Sequence, residues 1–259
     1  MLTAHVLAAV ERLAPPALAE EWDNVGLIVG RHNRPARRVL VALELRDDVL
    51  LEARQGDYGV IVVHHPPIFP TVSRVTDDAP AQQLVLSAAE ERIAVIAAHT
   101  NLDAAADGLN DQLADMLGMR DTAPLQPHPD HPGMGLGRVG TVDALTLEAF
   151  AARAAGTVPG PLTITGDPDL HVTRVACCTG SGASLIGAAR EAQADVYVTG
   201  DLKYHDADRS EGMPMLCAPH GRVERAAMRA WFPQLERLLH REGMEARFSE
   251  VDTDPWRAV

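Results

Sequence analysis

Apolar residues recur at helical spacing near the start of the chain. Leu2, Val6, Leu7, Val10 and Leu13 share one face, and Pro15-Pro16 ends the run. Residues 21–30 read as a turn leading into a strand. Short, mainly apolar runs predict buried strands at 39–43, 60–63, 93–98, 172–178, 196–199 and 215–218. Amphipathic stretches between them predict helices at 47–55, 82–91, 103–117, 146–155, 183–192 and 223–242. Residues 137–142 and 162–164 add strand signals, and 246–251 is the last. Strands alternating with helices place the chain in the α/β class. From 121 to 135 the composition turns to Pro, His, Asp and Gly, which predicts a loop and a seam between halves 1–120 and 121–259.

The two halves repeat each other. Arg38-Val39-Leu40-Val41 aligns with Arg174-Val175-Ala176-Cys177 at an offset of 136, and the same offset pairs Ala53 with Ala189, Val60 with Val196 and His65 with Asp201. His99 then pairs with His220, and Asp103 with Glu224, at an offset of 121. The first copy therefore carries 15 extra residues, read as a loop running from Pro66 through Pro67, Pro70, Asp77 and Asp78 to Pro80. Polar as well as apolar positions match, which favours a repeat over two generic strand–helix units.

Composition narrows the class. At 259 residues and 46% hydrophobic, the chain can bury a sizeable core. It holds no run of about 18 uncharged apolar residues, so no membrane helix is expected. Residues 1–10 lack a preceding basic segment and read as a domain helix, not a signal peptide. Cys177, Cys178 and Cys217 fall in expected buried strands, which points to a reducing cytoplasm without disulfides. The net charge of −13 argues against general duplex nucleic-acid binding. A nucleotide substrate stays open, because a bound metal supplies positive charge locally. The one lysine, Lys203, lies within Thr199-Gly200-Asp201-Leu202-Lys203-Tyr204-His205.

The candidate chemistry sits where apolar strands end. His64-His65 closes one run, and His99-Thr100-Asn101-Leu102-Asp103 follows another. In the second half Asp201 and His205 follow one strand, and His220-Gly221-Arg222-Val223-Glu224 follows the next. Imidazoles and carboxylates gathered at strand ends suit a divalent metal. His99 with Asp103, and His220 with Glu224, are four apart and share a face if a helix starts there. Such donors fit Zn, Fe, Mn or Co better than Mg or Ca. Asp201 and His205 read as orienters of a ligand histidine or as general acid/base groups. Gly180-Ser181-Gly182 before a helix is a weak anion-site signal. His128 and His131 read as solvated loop residues.

Taken together, Trp22-Asp23-Asn24-Val25-Gly26-Leu27, His64-His65-Pro66, the His99 and Asp201 motifs and Asp252-Thr253-Asp254-Pro255-Trp256 resemble a known family nearly end to end. These are the Nif-three-like dinuclear-metal-centre hexameric proteins, also labelled GTP cyclohydrolase type 2 homologues. The resemblance implies two pseudo-repeated α/β halves packed around a shared dinuclear site with two divalent metal ions per chain. By resemblance the ligands are His64, His65, Asp103, His220 and Glu224; of the carboxylates, Glu224 is our choice for the bridge. His99, Asp201 and His205 would then line the site in catalytic roles. It also implies a toroidal homohexamer, a dimer of trimers. The chain departs from the pattern at Pro219 and Gly221, which flank His220, and at Glu44, where relatives tend to have Asp.

Two functions follow. One is a metal-dependent hydrolase of a nucleotide or other phosphoester, GTP cyclohydrolase-like by resemblance. The other is a non-enzymatic metal-binding ring serving as scaffold, regulator or metal carrier. Open metal positions favour chemistry, and fold alone does not fix a substrate.

Overall fold

The computed structural model describes residues 1–69 and 72–256. In chain order the elements are α1 (Thr3–Leu13), β1 (Gly26–Val29), β2 (Arg38–Glu44), α2 (Asp47–Gln55), β3 (Val60–His65), α3 (Pro80–Glu90), β4 (Ala94–Ala97) and α4 (Thr100–Ala104). Then come α5 (Leu109–Met116), β5 (Arg120–Pro127), β6 (Gly135–Thr146), α6 (Leu147–Ala155), β7 (Thr163–Ile164), β8 (His171–Ser181), α7 (Ile186–Glu191) and β9 (Val196–Gly200). The last are α8 (Tyr204–Arg209), β10 (Met215–Cys217), α9 (His220–Arg241) and β11 (Glu245–Phe248).

The chain divides into two compact units. The first joins Met1–Leu102 with Trp231–Thr253, and the second takes in Asp103–Ala230 and the residues from Asp254. The first unit holds a sheet of order β1-β4-β3-β2-β11. Its β4, β3, β2 and β11 run parallel, and β1 is antiparallel to β4. Val39, Leu40, Val41 and all of Val60 to Val63 are fully buried. Parallel strands covered on both faces read as continuous apolar runs, which is why the sequence disclosed them.

The second unit holds a sheet of order β5-β6-β8-β9-β10-β7. Its β8, β9 and β10 are parallel, and the outer pairings are antiparallel. Side chains alternate between two cores. Val175, Cys177, Val196 and Val198 join Phe150 and Leu113 on one, and Ala176, Cys178 and Tyr197 join Leu185 and Ile186 on the other. The strand registers of the two units correspond. Val39 faces Val60 and Val41 faces Val62, as Val175 faces Val196 and Cys177 faces Val198, each at the offset of 136.

Several elements differ from expectation. The helix predicted over 103–117 is two, α4 and α5, because Asp107 takes a left-handed conformation (φ 57°) and Gly108 caps the second. The loop expected at 121–135 is mostly a hairpin of β5 and β6. Strand β5 is largely exposed and carries Pro124 and Pro127, so no alternation marked it. Helix α8 was not predicted, and α9 starts at His220, not 223. The expected loop of 66–80 has neither helix nor strand among its described residues before Pro80, which opens α3; Pro70 lies outside the described residues. Strand β11 pairs with β2, Ala246 facing Val39, so the C-terminal strand belongs to the first sheet. The compact units therefore do not divide at the 120/121 seam. Cys177 and Cys178 are buried, Cys217 is only partly so, and all three are free thiols.

Candidate metal centre

In the first unit, β3 delivers His64 and His65 at its C-terminal end, and the chain leaving β4 delivers His99. The three ring centroids lie 5.0 to 5.7 Å apart. One potential ligand nitrogen from each lies within 4.8 Å of the others. His64 is fully buried, and its Nδ1 lies 2.9 Å from the Ala98 carbonyl. A carbonyl only accepts, so Nδ1 carries the proton and the lone pair is left on Nε2.

His99 is held in the same way by a carboxylate. Its Nδ1 lies 2.8 Å from Asp23 Oδ1. Asp23 also accepts from the Thr100 backbone N–H at 3.0 Å and the Thr100 hydroxyl at 2.5 Å. Burial pushes the Asp23 carboxyl up, but the bonds from His99 and Thr100 outweigh it and bring it down to about 2. The His99 backbone N–H donates to Asn101 Oδ1 at 2.9 Å, and Asn101 Nδ2 donates to the Ala14 carbonyl at 2.7 Å. His65 Nδ1 lies 3.6 Å from Glu44 on the neighbouring strand. Burial opposes ionisation of Glu44, but His65, with Thr253 and Arg46, outweighs it, so its carboxyl lies below its usual range.

The second unit builds its own donor group at the start of α9. His220 Nε2 is 3.0 Å from Glu224 Oε2, one helical turn on. His220 Nδ1 is 2.6 Å from Asp201 Oδ2. Burial disfavours charge on this imidazole, but Glu224 and Asp201 prevail and raise it to about 9. The position thus stabilises positive charge. Gly180, at φ 64°, closes against this pair, and a Cβ there would collide with Glu224 Oε1. Asp103 Oδ1 accepts from the Thr179 hydroxyl at 2.9 Å, and Thr179 N–H donates to the buried Asn110 at 2.9 Å.

The structure thus brings His64, His65 and His99 together, and Asp201, His220 and Glu224. His205 stands apart from its unit's group. Its side chain is 85% exposed on α8, beside Asp208 at 3.6 Å. Asp23 was missed as an orienter. It sits in a turn far from His99 in sequence, and only its place in the Trp22-Asp23-Asn24 motif marked it. His128 and His131 are neighbours near the β5–β6 turn, with ring centroids 4.7 Å apart. The donor chemistry fits a divalent transition metal: imidazoles with fixed tautomers, carboxylates, and partners that orient the ligand rings.

The sequence profile of Duf34/NIF3 (NGG1p interacting factor 3) matches residues 1–255. The chain belongs to the Duf34/NIF3 family. A Streptomyces coelicolor relative, a "GTP cyclohydrolase 1 type 2 homolog", is 33% identical over 98% of this chain and 93% of its own length. The Drosophila melanogaster "NIF3-like protein 1" is 31% identical over 97% of this chain and 87% of its own. Among solved structures, a Bacillus cereus protein related to NIF3 superposes with a TM-score of 0.93 at 25% identity, covering 100% of this chain and 99% of that one. The two-sheet α/β architecture of this NIF3 family member is thus that of its solved relatives. No helix among its described residues is long and apolar enough to cross a membrane.

Proposed function

We propose that the chain is a metal-dependent hydrolase of a nucleotide or other phosphoester. Two divalent ions, Zn, Fe, Mn or Co, would be held by His64, His65, Asp103, His220 and Glu224. The carrying observation is the histidine cluster, whose candidate donor nitrogens lie within 4.8 Å of one another. When bound, such ions activate water and neutralise charge on the phosphoester oxygens. The protein's own groups do the rest. Asp23 holds the Nδ1 proton of His99, which leaves Nε2 to take up or return a proton. Asp201 holds Nδ1 of His220. Trp22, 57% exposed and edge-on to His99 at 6.2 Å, offers an aromatic face to a planar base. His205, exposed on α8, is proposed as a second proton-transfer group. A homohexamer, a dimer of trimers in the cytoplasm, is the proposed assembly.

The test is metal content of the gently purified chain, with turnover of GTP and a generic phosphodiester after reconstitution. About two ions per chain with metal-dependent turnover supports the reading. His65→Ala and Glu224→Ala should each lose metal while the circular dichroism spectrum is kept; unchanged metal in both rejects these ligands. Two ions without turnover on either substrate would favour a carrier or scaffold. Light scattering at six times the chain mass would support the ring.

A further inference from the structure

A cavity of about 350 Å³ opens near the start of β4, lined by Gly30, Arg31, Arg34, Ala89, Arg92 and Ile93. Half of these residues are arginines and none is acidic. Among the described residues none of the three arginines pairs with a carboxylate, and the nearby Glu91 is taken by Arg54 at 2.6 Å. In a chain of net charge −13, such a concentration of positive charge runs against the general trend.

The arginines are held in place by backbone. Arg34 N–H donates to the Arg31 carbonyl at 3.2 Å, closing a turn. That turn is tied to α1 by Thr3 N–H to the Arg34 carbonyl at 2.8 Å and Ala4 N–H to the His32 carbonyl at 3.0 Å. Arg34 Nη1 then donates to the Arg92 carbonyl at 2.9 Å, which joins the two sides of the cavity and leaves its other N–H groups for a ligand. Gly30 permits the approach, since a Cβ there would lie 2.8 Å from that of Ala94.

Arg92 occupies a position that usually falls to glycine. It follows α3 with φ 64°, its N–H bonded to the Ala89 carbonyl and the next N–H to the Ala88 carbonyl. Of the seven non-glycine residues with positive φ among those described, it alone carries positive charge. Arginine has no short side-chain acceptor to ease that conformation, as aspartate has. His99 lies past the other end of β4, roughly 20 Å of extended chain away.

We propose that Arg31, Arg34 and Arg92 form a binding site for the terminal phosphoryl group of a small molecule, separate from the histidine cluster. Planar guanidinium forks match phosphate oxygens in pairs, and the cavity is large enough for a phosphoryl group with a sugar-sized body. The test is calorimetric titration of the full chain with ribose 5-phosphate and, separately, inorganic phosphate. Saturable 1:1 binding of ribose 5-phosphate is expected, weakened about tenfold in Arg92→Gly and in Arg31→Gln. Glycine suits the left-handed turn, so Arg92→Gly keeps the fold. Tighter binding of ribose 5-phosphate assigns a phosphomonoester, whereas equal affinity assigns free phosphate as the ligand of the same site. His65→Ala should bind like the wild type. No saturable binding at millimolar ligand, or binding lost in His65→Ala but kept in Arg92→Gly, overturns the proposal.

Discussion

At the scale of single residues, each unit's donor group holds histidines whose protons are fixed by a second group. Asp23 serves His99, the Ala98 carbonyl serves His64, and Asp201 serves His220. The Asp23 carboxyl is depressed from 3.8 to about 2, so its stabilising effect is fully present above its unfolded value and fades as pH falls toward 2. Asp23→Asn should therefore cost about 2 kcal/mol at neutral pH. Denaturant melts should show the difference constant above pH 5 and shrinking below pH 4. A difference that does not change with pH would rule out the charge as its source. Thiol chemistry gives another check. Burial pushes the Cys177 thiol up to about 12 and Cys178 well above its usual value. A disulfide reagent at neutral pH should modify at most Cys217 in the folded chain and all three thiols after denaturation. The donor residues were legible in the sequence because each follows an apolar run. Asp23 was not, because nothing local marks a turn aspartate as the partner of a histidine 76 positions away.

At the scale of elements, strand ends and helix starts position the chemistry. His220 begins α9, which places Glu224 one turn later against it, and Gly180 near the C-terminal end of β8 leaves room for that carboxylate. Gly180→Ala should destabilise the fold by roughly 2 kcal/mol, from left-handed strain and collision with Glu224, and should lower metal content. Equal stability and metal content in the variant would contradict the packing described. Arg138 on β6 is buried and binds Asp111 at 2.5 and 2.8 Å with the carbonyls of Ala105, Gly135 and Gly137. Arg138→Met strands these acceptors and should cost about 3 kcal/mol, measurable by thermal melting. The parallel strands were readable because burial on both faces writes continuous apolar runs. The β5–β6 hairpin was not, because its exposed strand carries prolines and polar residues. The break between α4 and α5 was not, because Asp107-Gly108 interrupts a pattern that otherwise continues.

At the scale of the whole molecule, the chain's strong negative charge argues against general duplex nucleic-acid binding and makes the arginine-lined cavity stand out. The α/β class followed from alternation alone, and the strand registers correspond at the offset read from the sequence. Which sheet the last strand joins was not legible, since strand propensity names no partner. That pairing has a consequence for synthesis. Arg38 and Glu245, bridged at 3.0 Å, are 207 positions apart. While a ribosome makes the intervening chain, β2 has no β11 beside it, and Val39 and Val41 stand at an open sheet edge. The first unit is thus the first to be made and among the last to close. A nascent chain stalled before Glu245 should hold on to chaperones far longer than one stalled beyond Thr253 and clear of the exit tunnel.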